Sequence, residues 1–357
     1  MSRRLPGQRS IDHSLRRVTP IDLGGMLLVV IAIGWTYESA AVAGGAPGPV
    51  ALALFASGLT FLVSRVVGSV ARYLVPLAGV VLVGGLALGL AGSPGARPPA
   101  DPLAYTNASA ALYLQGTAAG LMLFVMWHGA AVRTLALVMV AALLLATLAA
   151  NSQAVDALIV LPAAALALRR PHAIRVGIAV FAGLFLLAFL ASVVLGATYH
   201  PGKPDSAAER LVNSALSERR PALWHDALVL MAQHPASGIG PDKFMTQSPI
   251  ARSDLDARWA HNGFLQQGAE QGVVGLVLLL VLFAWAFLRT WLAAPPDRVG
   301  AISAAALAAL GIQACIDYVL HFPAVVIIAS ALVGVSVVQP RIERLFEPSD
   351  ERELIRS

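Results

Sequence analysis

His261 and the pair Arg219 and Arg220 are the residues of this 357-residue chain whose types and setting best suit chemistry. An imidazole exchanges protons near neutral pH, and a guanidinium meets two oxygens of a phosphate at once. The two arginines stand immediately before Pro221, at the predicted start of a helix over 220–234. In that stretch Leu223, Ala227, Leu230 and Met231 recur at helical spacing and His234-Pro235 ends the run. The exposed amides of a helix N-terminus favour an anion, so both arginines sit where a negatively charged group would be received. Beyond His261 a second helix carries Asn262, Gln266 and Glu270 at i, i+4 and i+8, one polar stripe fit to line a cavity. Gly268, Gly272 and Gly275 form another face of the same helix, small enough to let a neighbouring helix approach closely.

Other patterns carry less. Asp254-Leu255-Asp256 imitates the Asp-x-Asp metal site of nucleotide-sugar transferases but follows no recognisable strand, so it reads as a solvated loop. Asn107-Ala108-Ser109 matches a glycosylation sequon, a pattern common by chance. Cys315 is the only cysteine, which leaves neither an intramolecular disulfide nor a cysteine-based metal site. The formal charge of +5 does not point to nucleic acid, because the arginines are scattered between apolar runs and form no basic stripe with aromatics.

The elements that position these residues are membrane helices. Hydrophobic residues make up 57% of the chain and charged ones 13%, about half the charge of an ordinary soluble domain. Runs of roughly 20 apolar residues recur between short polar breaks. They predict an all-α bundle of about ten transmembrane helices over 21–43, 48–67, 71–92, 108–127, 131–150, 153–169, 174–197, 263–288, 299–320 and 322–338. Pro49, Pro76, Pro162 and Pro323 fall in or at the ends of these spans, where membrane helices tolerate kinks, and none is expected to split one. The first run follows Arg3, Arg4, Arg9, Arg16 and Arg17 and is too long for a cleaved signal, so it reads as a retained signal anchor.

Basic residues fix the orientation. With the N-terminus inside, the cytoplasmic connections carry Arg65 and Arg72, then Arg133, then Arg169, Arg170 and Arg175, then Arg289 and Arg298, then the tail with Arg341, Arg344, Arg352 and Arg356. The opposite connections are nearly free of basic charge. Both termini are therefore expected in the cytoplasm of a multi-pass protein that forms one integral membrane domain over 1–357. One outer connection, 198–262, is far longer than usual and holds Leu211, Leu216, Leu223, Trp224, Ile239, Phe244 and Trp259 among others, too apolar for a disordered linker. It is expected to pack on the bundle and to carry part of an active site. The ionisable residues within or beside the spans, Glu38, Asp156, Glu270, Asp317 and His321, all fall toward the outer half, as do Gln115, Gln153, Gln266, Gln267 and Gln313. Intramembrane ionisable groups are costly and mark function, and together these suggest a polar cavity opening outward.

These motifs resemble a family. Arg219-x-x-x-Leu223 early in a long outer loop, and His261-Asn262 followed after nine residues by Gly272-x-x-Gly275, are similar to the paired motifs of the O-antigen ligase and polymerase superfamily. His234-Pro235-Ala236-Ser237-Gly238-Ile239-Gly240 with Phe244 resembles its His-Pro-x-x-Gly-x-Gly turn, and Leu103-Ala104-Tyr105-Thr106-Asn107-Ala108 resembles a further segment. The likeness is strongest over 217–288. Arg219 has the family spacing to Leu223, and Arg220 has an equally common spacing to Trp224, so both remain candidates. Ten spans are fewer than the twelve or so of many members, and Ser152-Gln153 stands where many have Ser-Arg.

The resemblance implies a GT-C-like membrane glycosyltransferase in the inner membrane of a bacterium. It would move a glycan from a polyprenyl (undecaprenyl) pyrophosphate to an acceptor hydroxyl on a glycan, lipid or protein, with inversion and with neither metal nor cofactor. His261 would be the general base or orient the acceptor, and Arg219 or Arg220 would meet the departing pyrophosphate. Asn262, Gln266, Glu270, Asn107, Arg97, Lys243, Arg258 and Arg252 would contact glycan or phosphate. A repeat-unit polymerase is the close rival of a ligase. A lipid-linked glycan transporter or a non-catalytic scaffold are readings from other classes, although a transporter should show repeats and broken helices near the midplane, which the sequence does not suggest.

Overall fold

The computed structural model describes residues 18–89, 97, 101–150, 152–200, 207, 210, 219–253 and 257–338. The basic N-terminal residues, Asn151, Leu211, Leu216, the Asp254-Leu255-Asp256 sequence and the arginines of the tail lie outside them, and so does the side chain of Gln153. Among the described residues the protein is an all-α polytopic membrane bundle. In chain order its helices are α1 (Pro20–Ala43), α2 (Gly48–Val70), α3 (Leu74–Ala87), α4 (Thr106–Met126), α5 (Ala130–Ala149), α6 (Gln153–Leu158) and α7 (Val160–Ala167). Then follow α8 (Pro171–Thr198), α9 (Arg220–Gln233), α10 (Phe244–Gln247), α11 (Pro249–Ser253), α12 (Gly263–Trp291), α13 (Arg298–Ala314) and α14 (Pro323–Ser336), with a 3-10 turn, Val319–His321, before the last.

Six of these, α1, α2, α4, α5, α8 and α12, are long and apolar enough to cross a membrane, and α3, α13, α14 and the pair α6 and α7 supply shorter apolar segments. Leu27, Val30, Leu52, Leu145 and Leu187 stay more than half exposed on the outer helices, as expected where hydrocarbon and not water surrounds the bundle. The centre is made by α4 and α13, whose residues are buried nearly all round. The run Ala304-Ala305-Ala306-Leu307-Ala308-Ala309 explains why α13 fits there, since small side chains let α4, α8 and α14 close on it.

Two expected spans need correction. In the segment 153–169 Pro162 has no N–H for the carbonyl of Leu158, so the helical hydrogen bonding is interrupted at Ile159 between α6 and α7 although the backbone there keeps helical angles. The segment 299–320 ends as a helix at Ala314. The carbonyls that would have continued it are taken by distant groups: Cys315 O accepts from Asn262 Nδ2 at 2.7 Å, Ile316 O from the Arg220 guanidinium, and Asp317 O from Gly263 N at 3.2 Å.

Ion pairs tie together one end of the bundle. Asp22, at the start of α1, receives Arg289 Nε from α12 at 2.5 Å and Arg65 Nη2 from α2 at 3.0 Å, and Arg72 reaches Asp297 at the foot of α13 at 2.5 Å. The other end holds the C-terminus of α1, the N-termini of α4, α12 and α14, and the described residues of the 219–262 segment. That segment has a small core of its own. Leu223, Trp224, Ala227, Leu230, Ile239, Phe244, Ala251, Ala257 and Ala260 pack with Leu265 and Ala269 of α12.

Candidate active site

Helix α9 begins at Arg220, with Pro221 at its first turn, and buries Leu223, Trp224, Ala227 and Leu230 against α8 and α12. A Cβ on Gly196 of α8 would press on Trp224, so the glycine is what lets α9 lie this close. Docked in this way, α9 turns the Arg220 side chain inward, where it is buried, and leaves Arg219 exposed at the N-cap. The indole of Trp224 donates to the carbonyl of His261 at 3.1 Å.

That bond helps hold His261 at φ 47°, a left-handed conformation uncommon for a residue with a side chain. Asn262 follows as the cap of α12. Its side-chain oxygen accepts from Phe264 N and Leu265 N, and its amide donates to Ser192 Oγ and Cys315 O. Every hydrogen-bonding atom of that side chain is therefore engaged within the protein, which makes it the anchor that aims His261.

His261 and Arg220 converge on Asp317, in the turn after α13. His261 Nδ1 lies 3.3 Å from Asp317 Oδ1, and Arg220 Nη2 lies 3.6 Å from Oδ2. Tyr105 Oη donates to the same carboxylate at 2.7 and 2.9 Å, Asn107 Nδ2 donates to it, and the amide of Tyr318 donates at 2.7 Å. Asn107 is fixed in turn by Ser152, whose hydroxyl donates to Asn107 Oδ1 at 2.8 Å, and by Gln313, which donates to its carbonyl. Burial pushes the Asp317 carboxyl up, but the adjacent His261 ring, the Arg220 guanidinium and the Tyr105 hydroxyl outweigh it and hold the group below its usual range. Burial and the Asp317 charge push the hydroxyl of Tyr318 up to about 12 and raise that of Tyr105 further still, so both stay protonated donors.

A second polar group lies beside this one. Glu270 accepts from Asp242 N at 3.0 Å, Phe244 N at 3.2 Å and Gln266 Nε2 at 3.1 Å, while Gln266 Oε1 accepts from Ala260 N and its amide meets His321 Nε2 at 3.3 Å. The stripe seen in the sequence is real, and it is turned onto the loop backbone. Gly272 does not extend a smooth glycine face. It breaks α12 with φ 70°, ψ −173°, and a Cβ there would collide with the carbonyl of Ala236. The carbonyls freed by the break accept instead from Ile239 N, Gly240 N and Trp35 Nε1, at 2.9–3.0 Å. Only Gly268 of the three glycines faces a neighbouring helix, against Met231 of α9.

The structure thus brings together His261, Arg220 and Asn107 around Asp317, with Asn262, Gln266 and Glu270 supporting them. It leaves others apart. Lys243 donates to Ala43 O at the end of α1, Arg97 pairs through its backbone with Asp101 and is exposed, and Arg219, Arg252 and Arg258 are exposed. Glu38 is exposed on α1 and Asp156 sits on α6, neither in contact with the cluster. Asp317 itself was visible in the sequence as an ionisable residue in an apolar run, but nothing in its spacing named its partners. Tyr105 lay within the Leu103–Ala108 segment with no distinguishing signal of its own.

The family model described as O-antigen ligase matches residues 103–280, about half of the chain. The chain belongs to the O-antigen ligase and polymerase superfamily. That superfamily is one of membrane glycosyltransferases of ligase and polymerase type. The matched stretch contains Tyr105, Asn107, Arg220, Trp224, His261 and the whole Gly272 break, and stops before Asp317. No curated protein matches the chain significantly.

Proposed function

We propose that the protein transfers a glycan from a polyprenyl pyrophosphate to an acceptor hydroxyl at the outer face of the cytoplasmic membrane, in one inverting displacement without a metal. The observation that carries the reading is the convergence of His261 and Arg220, from opposite ends of the long loop, on one buried carboxylate. In this reaction the acceptor oxygen attacks the anomeric carbon as its proton passes to His261. The bond from that carbon to the pyrophosphate breaks, and the leaving group departs with its electron pair. Since His261 Nδ1 faces Asp317, Nε2 is the atom that takes the proton. Asp317 orients the ring and stabilises the imidazolium as it forms. Arg220 gives the site positive charge, and exposed Arg219 beside it extends that charge toward the pyrophosphate. The basic residues at the opposite end of the bundle support an outward placement of this end. Both ligase and polymerase use this donor bond, and the proposal covers either.

The test is transfer by purified protein reconstituted in vesicles without any gradient, supplied with lipid-linked glycan and acceptor extracted from the host envelope. His261→Ala and Arg220→Ala should each abolish transfer while the protein remains folded, and Arg219→Ala should weaken it by raising the donor KM. Full transfer by both His261→Ala and Arg220→Ala would refute the site. Glycan movement across the bilayer without covalent transfer would replace the enzyme with a transporter.

A further inference from the structure

Beside the Asp317 cluster stands a group of aromatic rings that the transfer chemistry above does not use. Tyr318 packs at 5.1 Å from the His261 ring and 5.8 Å from Trp259, and Trp259 lies 4.8 Å from His321. Tyr105 and Phe322 close the back, stacked at 5.5 Å. The rings come from three separate connections: the one before α4, the one before α12 and the turn between α13 and α14.

Aromatic residues also collect at membrane interfaces, where their rings face lipid. Tyr37, Phe55 and Trp291 of this protein are exposed in that way. The Trp259 group differs because its rings pack on one another around a buried carboxylate. Trp259 and Tyr318 are only half-buried, and His321 is exposed. The indole N–H of Trp259, like those of Trp127 and Trp291, makes no hydrogen bond to the described residues, whereas those of Trp35, Trp224 and Trp285 each donate to a backbone carbonyl.

A half-open ring face with a spare donor at its edge suits a ligand that is apolar on one side and rich in hydroxyls around its rim. A pyranose has that shape: its axial C–H bonds lie on an aromatic face and its hydroxyls reach polar edges. The exposed Arg258, next in the chain to Trp259, supplies such an edge, and the His321 ring adds a further aromatic face.

We infer that Trp259, backed by Tyr318 and His321, is a sugar platform that seats the terminal pyranose of the acceptor next to His261. The inference rests on the glycosyl-transfer reading in one respect, the choice of acceptor over donor. Tyr318 bridges Trp259 to the ring that takes the acceptor's proton, while the cations meant for the pyrophosphate lie at the start of α9.

The test is saturation-transfer NMR on the full-length protein in nanodiscs, irradiating aromatic protons. The probe is oligosaccharide cleaved by mild acid from the glycolipid of the host envelope. Ring protons of its terminal sugar should receive magnetisation. Trp259→Ala should weaken binding about tenfold, equivalent to about 1.4 kcal/mol, and raise the acceptor KM with little change in kcat. Trp259→Phe, which keeps a ring, should restore most of the affinity. Unchanged affinity in Trp259→Ala, or no transfer from the wild type, would overturn the platform whatever the enzyme's activity. Sugar binding that depends on Trp259 in a protein that catalyses no transfer would keep the platform and defeat the glycosyltransferase reading instead. Loss of affinity in Trp259→Phe equal to that in Trp259→Ala would reduce Trp259 to loop packing and overturn the inference.

Discussion

Replacing Asp317 by Asn tests the centre of the site, because the change keeps the shape and removes the charge. Asp317 and Arg220 are both over nine-tenths buried, and breaking a buried pair by removing one partner costs about 3–5 kcal/mol. Arg220 keeps its bond to Ile316 O, and the new side chain still offers one oxygen to Tyr105, so the loss should fall at the low end, about 3 kcal/mol. Glycan transfer should fall by about 10²–10⁴-fold, the usual contribution of a positioned acid–base group. Denaturation of the purified protein in micelles, followed by tryptophan fluorescence, measures the first quantity, and vesicle transfer measures the second.

The pairing itself is read from a double variant. If Arg220 and Asp317 depend on each other, Arg220→Met combined with Asp317→Asn should cost less than the sum of the two single changes, by about 1–3 kcal/mol. The carboxyl of Asp317 is held below its ordinary value of 3.8, and a depressed pKa means stability that is present above the unfolded value and lost as pH falls through the folded one. The stability gap between wild type and Asp317→Asn should therefore be flat from about pH 5 upward and close below about pH 4. A gap that persists at low pH, additive single losses, or an Asp317→Asn protein with near wild-type transfer would each refute the reasoning.

Trp224→Phe removes the indole donor to His261 O and should cost about 1 kcal/mol of stability but a larger factor in transfer, measured as kcat, because the left-handed His261 loses its restraint; equal kcat would reject this. Gly272→Ala forces a side chain into a left-handed conformation and against Ala236, so at least about 2 kcal/mol of stability should be lost in a micelle unfolding assay. An unchanged midpoint would show that the break is not held as described. Glu270→Gln turns an amide N–H₂ toward Asp242 N or Phe244 N and should cost about 1–3 kcal/mol, seen as faster proteolysis of the 240–253 segment, with no change if Glu270 does not hold that loop.

The helices were legible because lipid leaves little choice: an apolar run must satisfy its backbone internally, so composition alone located nearly every one. Their ends were less legible. The stop at Ala314 depends on Asn262, Arg220 and Gly263 claiming the next carbonyls, and those partners are far away in the chain. The interruption at Ile159 comes from Pro162, whose missing N–H works against the length of the apolar run. For the site, residue type and spacing pointed to His261 and to the pair Arg219 and Arg220, and burial separates the two arginines, a distinction that adjacent identical residues cannot show in sequence. Gly272 fitted a packing face equally well on paper, because one-letter spacing says nothing about the sign of φ.

The break at Gly272 connects these parts. Without it α12 would run straight from Asn262 to Trp291, and the carbonyls of Ala269, Glu270 and Gln271 would be used inside the helix. With it they are exposed at the depth where backbone must find partners, and the 234–240 turn and helix α1 provide them through Ile239, Gly240 and Trp35, with Ser39 reaching both Ser237 O and Glu270 O. The short N-terminal half of α12 is thereby held from one side by α1, from another by the loop that Glu270 gathers, and at its tip by the Asn262 cap. His261 sits on that tip. Its position is set by elements from both ends of the chain, so the long loop, the first helix and the turn after α13 together place His261 against Asp317.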